Sequence, residues 1–341
     1  MSKTVVGLDI GNSSLKIAYR KGKQGIVTDS VKLPENLVKN GRVQVLQAMA
    51  DCLRQLRRER RLPRNAYYAM VLPESAVICR RMTLPYMTRE QLTLNLPYEF
   101  RDFITDEGDR YYYDYALERI VNDDAGNPRS MELFAAAALK NVVAEHRDLC
   151  RMAGLKLRIL QPREIIWNTL LSRCIGEDAV GEGREFCIVD MGQRVPRVMF
   201  YRGSIFRASR SIDMGSADID EAISMSRNVD LHLAQTYKET NYEGALEDEG
   251  CMDTYHRIAL EIRRAINFYR FSEPESTLED LYFAGGSACI AALYHAVAEG
   301  SGLMMHSVTE LLPAELSGEN TGACALAVGL SLCGREVLDN V

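Results

Sequence analysis

One short motif occurs twice in this 341-residue chain, 181 positions apart and in register, and it limits the fold more than any other feature. Val6-Gly7-Leu8-Asp9-Ile10-Gly11 returns as Cys187-Ile188-Val189-Asp190-Met191-Gly192. The match runs on without a gap: Lys16 falls on Arg197, Tyr19 on Phe200, Lys21 on Arg202 and Gly22 on Gly203. Each copy reads as an apolar strand, a tight turn opened by Asp-x-Gly, and a second strand of alternating pattern. Two copies of one supersecondary unit predict two related lobes facing each other. A single Asp-x-Gly is an ordinary hairpin turn, but turn chemistry does not explain a registered echo.

The chemistry of the unit follows from its residue types. A glycine after an aspartate lets backbone N–H groups approach a ligand closely. The strand-end carboxylates of Asp9 and Asp190 suit a hydrated Mg²⁺, which keeps most of its waters and needs only one or two carboxylates. Lys16 supplies a point charge for a phosphate. Two such hairpins across a cleft would grip the phosphate chain of a nucleotide from both sides.

The length allows two domains, each with its own core. Hydrophobic residues make up 47% and charged residues 26%, as in ordinary globular proteins. The net charge of −6 weighs against a nucleic-acid partner. No apolar run reaches the roughly 18 residues that span a bilayer, and no signal peptide is read before Val5. The nine cysteines show no Cys-x-x-Cys spacing and read as reduced thiols, so the chain is expected in the cytoplasm.

Along the chain, three strands are expected within residues 4–33, then a helix over about 43–61 whose end is basic (Arg54, Arg57, Arg58, Arg60, Arg61), and a strand at 67–72. The basic end reads as a solvated face, with a membrane-surface or partner contact as the alternative. From 74 to about 136 the pattern changes to a small α+β insertion: a strand at 76–82, a helix at 88–103, an aromatic strand at 111–120 and a buried strand at 131–139. Tyr111, Tyr112, Tyr113 and Tyr115 read as cross-strand packing or as a binding edge. A helix follows at 141–153. The second copy predicts strands at 185–191, 195–202 and about 204–212. Helices are expected near 217–224, 228–239 and 252–271, then a strand at 281–284 running into Gly285-Gly286-Ser287. A helix at 288–299 follows, and an apolar helix at 324–333 is expected to pack back on the first lobe.

Taken together, these segments resemble the actin-like ATPase superfamily. Asp9-Ile10-Gly11-Asn12-Ser13-Ser14-Leu15-Lys16 looks like the first phosphate loop, Asp190-Met191-Gly192 like the second, and Ala284-Gly285-Gly286-Ser287 like the adenosine motif. Glu261-Ile262-Arg263-Arg264 has the spacing that puts Glu261 and Arg264 on one helix face, where Hsp70-like members contact ribose and adenine. Gln161-Pro162 falls where the family's first connecting helix carries the residue that orients the attacking water. The fold implied is α/β, a two-lobed actin-like (ribonuclease H-like) fold with the α+β subdomain inserted in lobe one. Lobe one would be 1–165, joined by a C-terminal helix at about 322–334, and lobe two 166–321. Within the superfamily the chain is most similar to the PilM family of type IV pilus assembly proteins. That likeness rests on the opening Gly-Leu-Asp-Ile-Gly-Asn-Ser-Ser-Leu-Lys, on Leu84-Pro85-Tyr86-Met87-Thr88 with the helix after it, and on Glu261–Tyr269.

The resemblance implies a cytoplasmic scaffold of a type IV pilus or related secretion machine, peripheral to the inner face of the cytoplasmic membrane. Its partner would be the N-terminal cytoplasmic segment of a PilN-like membrane protein, held as an extended peptide between lobe one and the insertion. ATP or ADP with Mg²⁺ is the implied cofactor. Asp9 and Asp190 would organise the metal, Gln161 would position water, and Gly11, Asn12, Ser13, Ser14, Lys16, Gly192, Gln193, Arg194, Glu261, Arg264, Gly285, Gly286 and Ser287 would bind nucleotide. The second loop departs from the family. Relatives place small residues and threonines there, whereas this chain has Gln193-Arg194-Val195-Pro196-Arg197, and Pro196 removes a donor. Two hydrogen bonds to charged groups at roughly 1.5–3 kcal/mol each amount to about two to four decades of affinity. Arg194 either compensates by reaching the phosphates or fills the cleft, and Arg163 is bulkier than usual. The enzyme expectation is at most a weak ATPase. The alternatives are a self-associating filament ATPase like FtsA and a small-molecule kinase of the same fold. A membrane-targeting helix in the tail, Gly334–Val341, is not expected, because the segment is too short.

Overall fold

The computed structural model describes residues 4–22, 25–63, 65–104, 108–174, 183–318 and 320–333. The 334–341 tail, and with it the expectation about a membrane helix there, lies outside these residues. The chain opens with an antiparallel meander of β1 (Val5–Ile10), β2 (Ser14–Arg20) and β3 (Ile26–Lys32). Packing then groups the chain into two compact units. One is built on Asn36–Arg163, and the other joins Val5–Glu35 to the chain from Glu164 onward.

The Asn36–Arg163 unit begins with a tiny hairpin, β4 (Val38–Lys39) and β5 (Arg42–Val43), and the helix α1 (Leu46–Glu59). Apolar Met49, Ala50, Leu53 and Leu56 recur at helical spacing and form the buried stripe of α1. Strand β6 (Tyr67–Val71) follows, then the insertion: β7 (Val77–Pro85), α2 (Arg89–Glu99), β8 (Tyr111–Asn122) and β9 (Pro128–Leu139). Its sheet has the order β7-β9-β8. Thr88 and Gln91 form a capping box that starts α2 where the sequence places a helix. Leu92, Leu96 and Phe100 then meet Leu84, Met131 and Leu133 in a core of the subdomain's own. Tyr111, Tyr113 and Tyr115 pack against that core, so the period-two alternation turns only Tyr112 fully outward. Helix α3 (Lys140–Ala153) ends at Gly154 in the left-handed region, and β10 (Leu157–Gln161) pairs in parallel with β6.

The second unit continues with α4 (Arg163–Cys174) and the second copy of the motif, β11 (Glu185–Asp190), β12 (Arg197–Arg202) and β13 (Ile205–Ser211). Helices α5 (Ser216–Arg227), α6 (Leu231–Thr240) and α7 (Glu249–Ser272) lead to β14 (Asp280–Ala284), α8 (Ala291–Ser301), β15 (Met304–Ser307) and α9 (Ala325–Leu332). The sheet order is β13-β12-β11-β14-β15, with β11, β14 and β15 parallel. All six residues of β11 are buried. Helix α9, as expected for so apolar a segment, packs on β1 and β2. Among the described residues no helix is long and apolar enough to cross a membrane. The expected boundary at 165/166 falls within α4, and the packing of α9 is on the first meander.

Candidate nucleotide-binding site

The two copies of the motif fold alike down to the pairing of individual residues. In the first hairpin Val6 faces Tyr19, Leu8 faces Ile17 and Asp9 faces Lys16. In the second, Cys187 faces Phe200, Val189 faces Val198 and Asp190 faces Arg197. Each pair is the other displaced by 181 residues. Apolar residues on both faces bury β1 and β11, which carries Asp9 and Asp190 to the strand ends as buried carboxylates.

Equivalent positions do not make equivalent contacts. Lys16 stays beside its own hairpin's aspartate, Nζ to Asp9 Oδ2 at 3.6 Å. Arg197, longer and forked, turns to Glu164 at 3.9 Å and donates from Nη1 to Ser209 Oγ at 3.2 Å. Glu164, at the start of α4, is buried and was not singled out in the sequence. Its place directly after Gln161-Pro162-Arg163 was the sequence signal available.

The first loop closes as a tight turn, with the Gly11 amide donating to Ser14 O at 2.9 Å. The Leu33 amide binds Ser13 O at 2.9 Å and ties the turn to the end of β3. In the second loop the Gly192 amide donates to Asp190 O at 3.1 Å. The carbonyls of Gly192 and Gln193 accept from Ser216 and Ala217 at 3.3 and 2.8 Å, satisfying two orphan amides at the N-terminus of α5. Gly215 permits this approach, since a Cβ there would lie 2.5 Å from Gln193 O. Arg194 is exposed, and Pro196 gives its carbonyl to the Ile212 amide at 2.9 Å.

A series of close contacts links the two aspartate turns. Gly285 has φ +99, and a Cβ on it would fall 2.4 Å from Met191 O, next to Asp190. Its amide donates to Gly322 O at 3.2 Å, in the turn that opens α9. Cys324 of that turn senses Lys16 and Asp9: burial pushes its thiol up to about 11, with Lys16 pulling it down and Asp9 pushing it up. The Ala284-Gly285-Gly286-Ser287 run therefore lies against the second aspartate turn and is bonded to the segment that packs on the first hairpin. Beyond Gly286, where a Cβ would meet nothing within 4 Å, a cavity of about 410 Å³ opens. Gly286, Ser287 and Cys289 line one side, and Lys238, Glu239 and Asn241 from the end of α6 line the other.

Glu261 and Arg264 are not among those lining residues. On α7 the buried stripe is Ile258, Ile262, Ala265, Ile266 and Tyr269. Glu261 and Arg264 fall outside it and pair with each other, which one-turn spacing allows wherever a helix faces solvent. Lys238 and Glu239, which do border the cavity, went unnoticed in the sequence. Lys238 is held by Asp220 at 2.6 Å and by Ser216 O at 3.1 Å, and Glu239 pairs with Lys32 of β3. Gln161 ends β10 in the other compact unit, a strand rather than the helix expected, and its carbonyl accepts from the Leu72 amide at 2.8 Å.

Comparison with known proteins follows the same lines. The model of the family described as type IV pilus assembly protein PilM matches residues 7–321. No curated protein sequence matches the chain. Among solved structures, the PilM-PilN type IV pilus biogenesis complex is similar at 25% identity, with a TM-score of 0.80 over 98% of this chain and 99% of that one. The ethanolamine utilization protein EutJ from Carboxydothermus hydrogenoformans is similar at 13% identity and TM-score 0.61, covering 97% of this chain and 90% of its own. An apo ParM protein follows at 9% identity and TM-score 0.50, covering 100% and 99%. The fold is the α/β actin-like one that the resemblance implied.

Proposed function

The chain belongs to the type IV pilus assembly protein PilM family, and on that premise we propose that it is an actin-like, nucleotide-binding scaffold of a type IV pilus or related secretion machine. It works in the cytoplasm and reaches the inner face of the membrane by holding the N-terminal cytoplasmic segment of a PilN-like membrane protein. The observation that carries this reading is the end-to-end likeness to the PilM-PilN complex, at a TM-score of 0.80. Titration of the full chain with a peptide copying the N-terminal segment of the PilN-like protein tests it. Saturable binding that a scrambled peptide does not reproduce is expected. Absence of binding by the native peptide rejects the role.

The site's own residues fit a nucleoside di- or triphosphate with Mg²⁺. Buried strand-end carboxylates, a glycine held against the second aspartate turn and an open wall at Gly286 form a cradle of the kind a phosphate chain and a nucleoside need. Bound Mg²⁺ would neutralise phosphate charge, with Asp9 and Asp190 orienting its waters. Lys16, kept beside Asp9, presents its ammonium to the phosphates, and Gly11, Asn12, Ser13 and Ser14 offer the first turn's backbone and hydroxyls. Gly285, Gly286 and Ser287 let the chain pass close to the nucleoside. The contacts that the sequence assigned to Glu261 and Arg264 we assign instead to Lys238 and Glu239, at the cavity's edge.

The second loop limits the chemistry. From Gly192 to Arg197 the loop has no hydroxyl side chain in its sequence, Pro196 has no N–H to donate, and Arg197 is engaged with Glu164. Arg194, exposed at the loop, would offer a guanidinium in place of the lost donors. Phosphoryl transfer depends on positioning and electrostatics, and a loop short of donors supplies little of either. Binding with at most weak hydrolysis suits a scaffold.

A further inference from the structure

The basic end of α1 is not a simple solvated face. Arg54, Arg57, Arg58 and Arg61 meet Arg151 and Gly154, at the C-terminal end of α3, around a concave pocket of about 890 Å³. Among the described residues its lining contains five arginines and no carboxylate, in a chain of net charge −6. Part of this charge has a structural purpose. Two helices end here, and cations offset the partial negative charge of their free carbonyls. Arg57 does so directly, donating from Nη1 to Gly154 O at 2.9 Å. Arg54 pairs with Asp51, and Arg151 pairs with Asp148 at 2.8 Å. Arg58, in the last turn of α1, and Arg61, just past its end, have no acidic partner: among the described residues no carboxylate pairs with them.

Arg61 has a second peculiarity. It sits just past the end of α1 at φ +49, the left-handed position that glycine fills in most helix stops. A side chain there is strained. The strain places one more guanidinium on the rim of a pocket already lined with four.

We propose that this pocket binds a phosphate-bearing anion. Guanidinium forks match phosphate oxygens in pairs, and five of them around one concavity call for a ligand that concentrates negative charge. The cavity volume is that of a site for a small molecule or for a headgroup, within the usual range of about 300–1,000 Å³. A soluble oligophosphate and the headgroup of an anionic phospholipid present the same chemistry. The inference does not depend on the nucleotide reading, because the pocket lies wholly within the Asn36–Arg163 unit.

The test uses the full chain and two probes: tripolyphosphate by titration calorimetry, and vesicles containing phosphatidylglycerol, against phosphatidylcholine alone, by flotation. Binding to at least one probe, weakened by salt, is expected, and the probe that binds identifies the source. Arg58→Glu with Arg61→Glu removes two charge-assisted contacts and is expected to weaken that binding at least about a hundredfold. It leaves the affinity for a fluorescent ATP analogue unchanged. Arg58→Lys with Arg61→Lys, which keeps the charge and loses the forks, falls between the two and remains informative if the Glu variant does not fold. Failure of both probes, equal binding by wild type and both variants, or binding of oligoglutamate alone would each overturn the assignment.

Discussion

Gly7→Ala lowers the stability of this protein by about 3 kcal/mol or more, a loss in the upper range of what over-packing produces. A Cβ at position 7 would stand 2.1 Å from the Ala327 carbonyl oxygen and 2.8 Å from Leu330 Cβ. Real Cβ atoms do not come so close to backbone, so helix α9 would have to move off β1. Every residue from Ala325 to Leu332 is buried, which leaves the helix no direction in which to yield without opening a void. The motif's glycine is thus needed for close approach at a site where the strand itself has no unusual φ. Thermal unfolding reads the effect as a fall of roughly 4 °C or more in Tm. A variant within about 0.5 kcal/mol of wild type, the range of ordinary surface substitutions, would show that α9 is not seated on β1 as described.

Glu185→Ala is expected to remove about 2–4 kcal/mol, because it takes a buried carboxylate away from the half-exposed Arg202 and leaves the buried Tyr269 hydroxyl without its acceptor. Glu185 lies on β11 with 2% exposure. It accepts from Arg202 Nη2 at 2.8 Å, from the Tyr269 hydroxyl at 2.9 Å and from the Ser276 hydroxyl. Burial works to raise its pKa, and the bonds from Ser276, Arg202 and Tyr269 more than offset burial, so the carboxyl titrates below its ordinary 4.5. The sign of the pH dependence follows. A depressed folded-state pKa gives stability that is fully present above the unfolded value and lost as pH falls through the folded one. The gap in unfolding free energy between wild type and Glu185→Gln should therefore stay constant at neutral pH and narrow in acid below the ordinary value of 4.5. A gap that widens in acid would contradict the described bonding.

What could be read from the sequence depended on how local the signal was. The hairpin repeat was legible because alternation and Asp-x-Gly turns act over a few residues, and β1–β2 and β11–β12 pair as the echo implied. The insertion was legible for the same reason, through the helical pattern from 88 and the aromatic-rich stretch that forms β8. Helix α4 was missed because it is buried on more than one face. Ile166, Trp167, Leu170 and Leu171 leave little amphipathic contrast, and Ile166 presses on Gly329 of α9. Strand β15 is four residues long and has no alternation to betray it. At the candidate site, the glycines and aspartates stand out in the sequence because they sit in turns whose backbone geometry demands those residue types. Lys238 and Glu239 were not, since nothing near them in sequence tells that α6 ends opposite Gly286. Glu261 and Arg264 show the converse, a spacing that fits a ligand pair and a solvent pair equally well. The arginine pocket depends on where α3 ends, which no reading of α1 alone can supply.

The central claim is that a duplicated aspartate turn holds the metal and phosphates of a nucleotide in a PilM-family scaffold. Titration of a fluorescent ATP analogue into wild type and Asp9→Asn, with and without Mg²⁺, tests it most directly. Asn keeps the shape of the buried side chain, and its unfolding midpoint confirms a native fold. The account predicts Mg²⁺-dependent binding by wild type and at least about a tenfold loss in the variant, the effect of one charge-assisted interaction. Equal affinity for both proteins, unaffected by Mg²⁺, would contradict it.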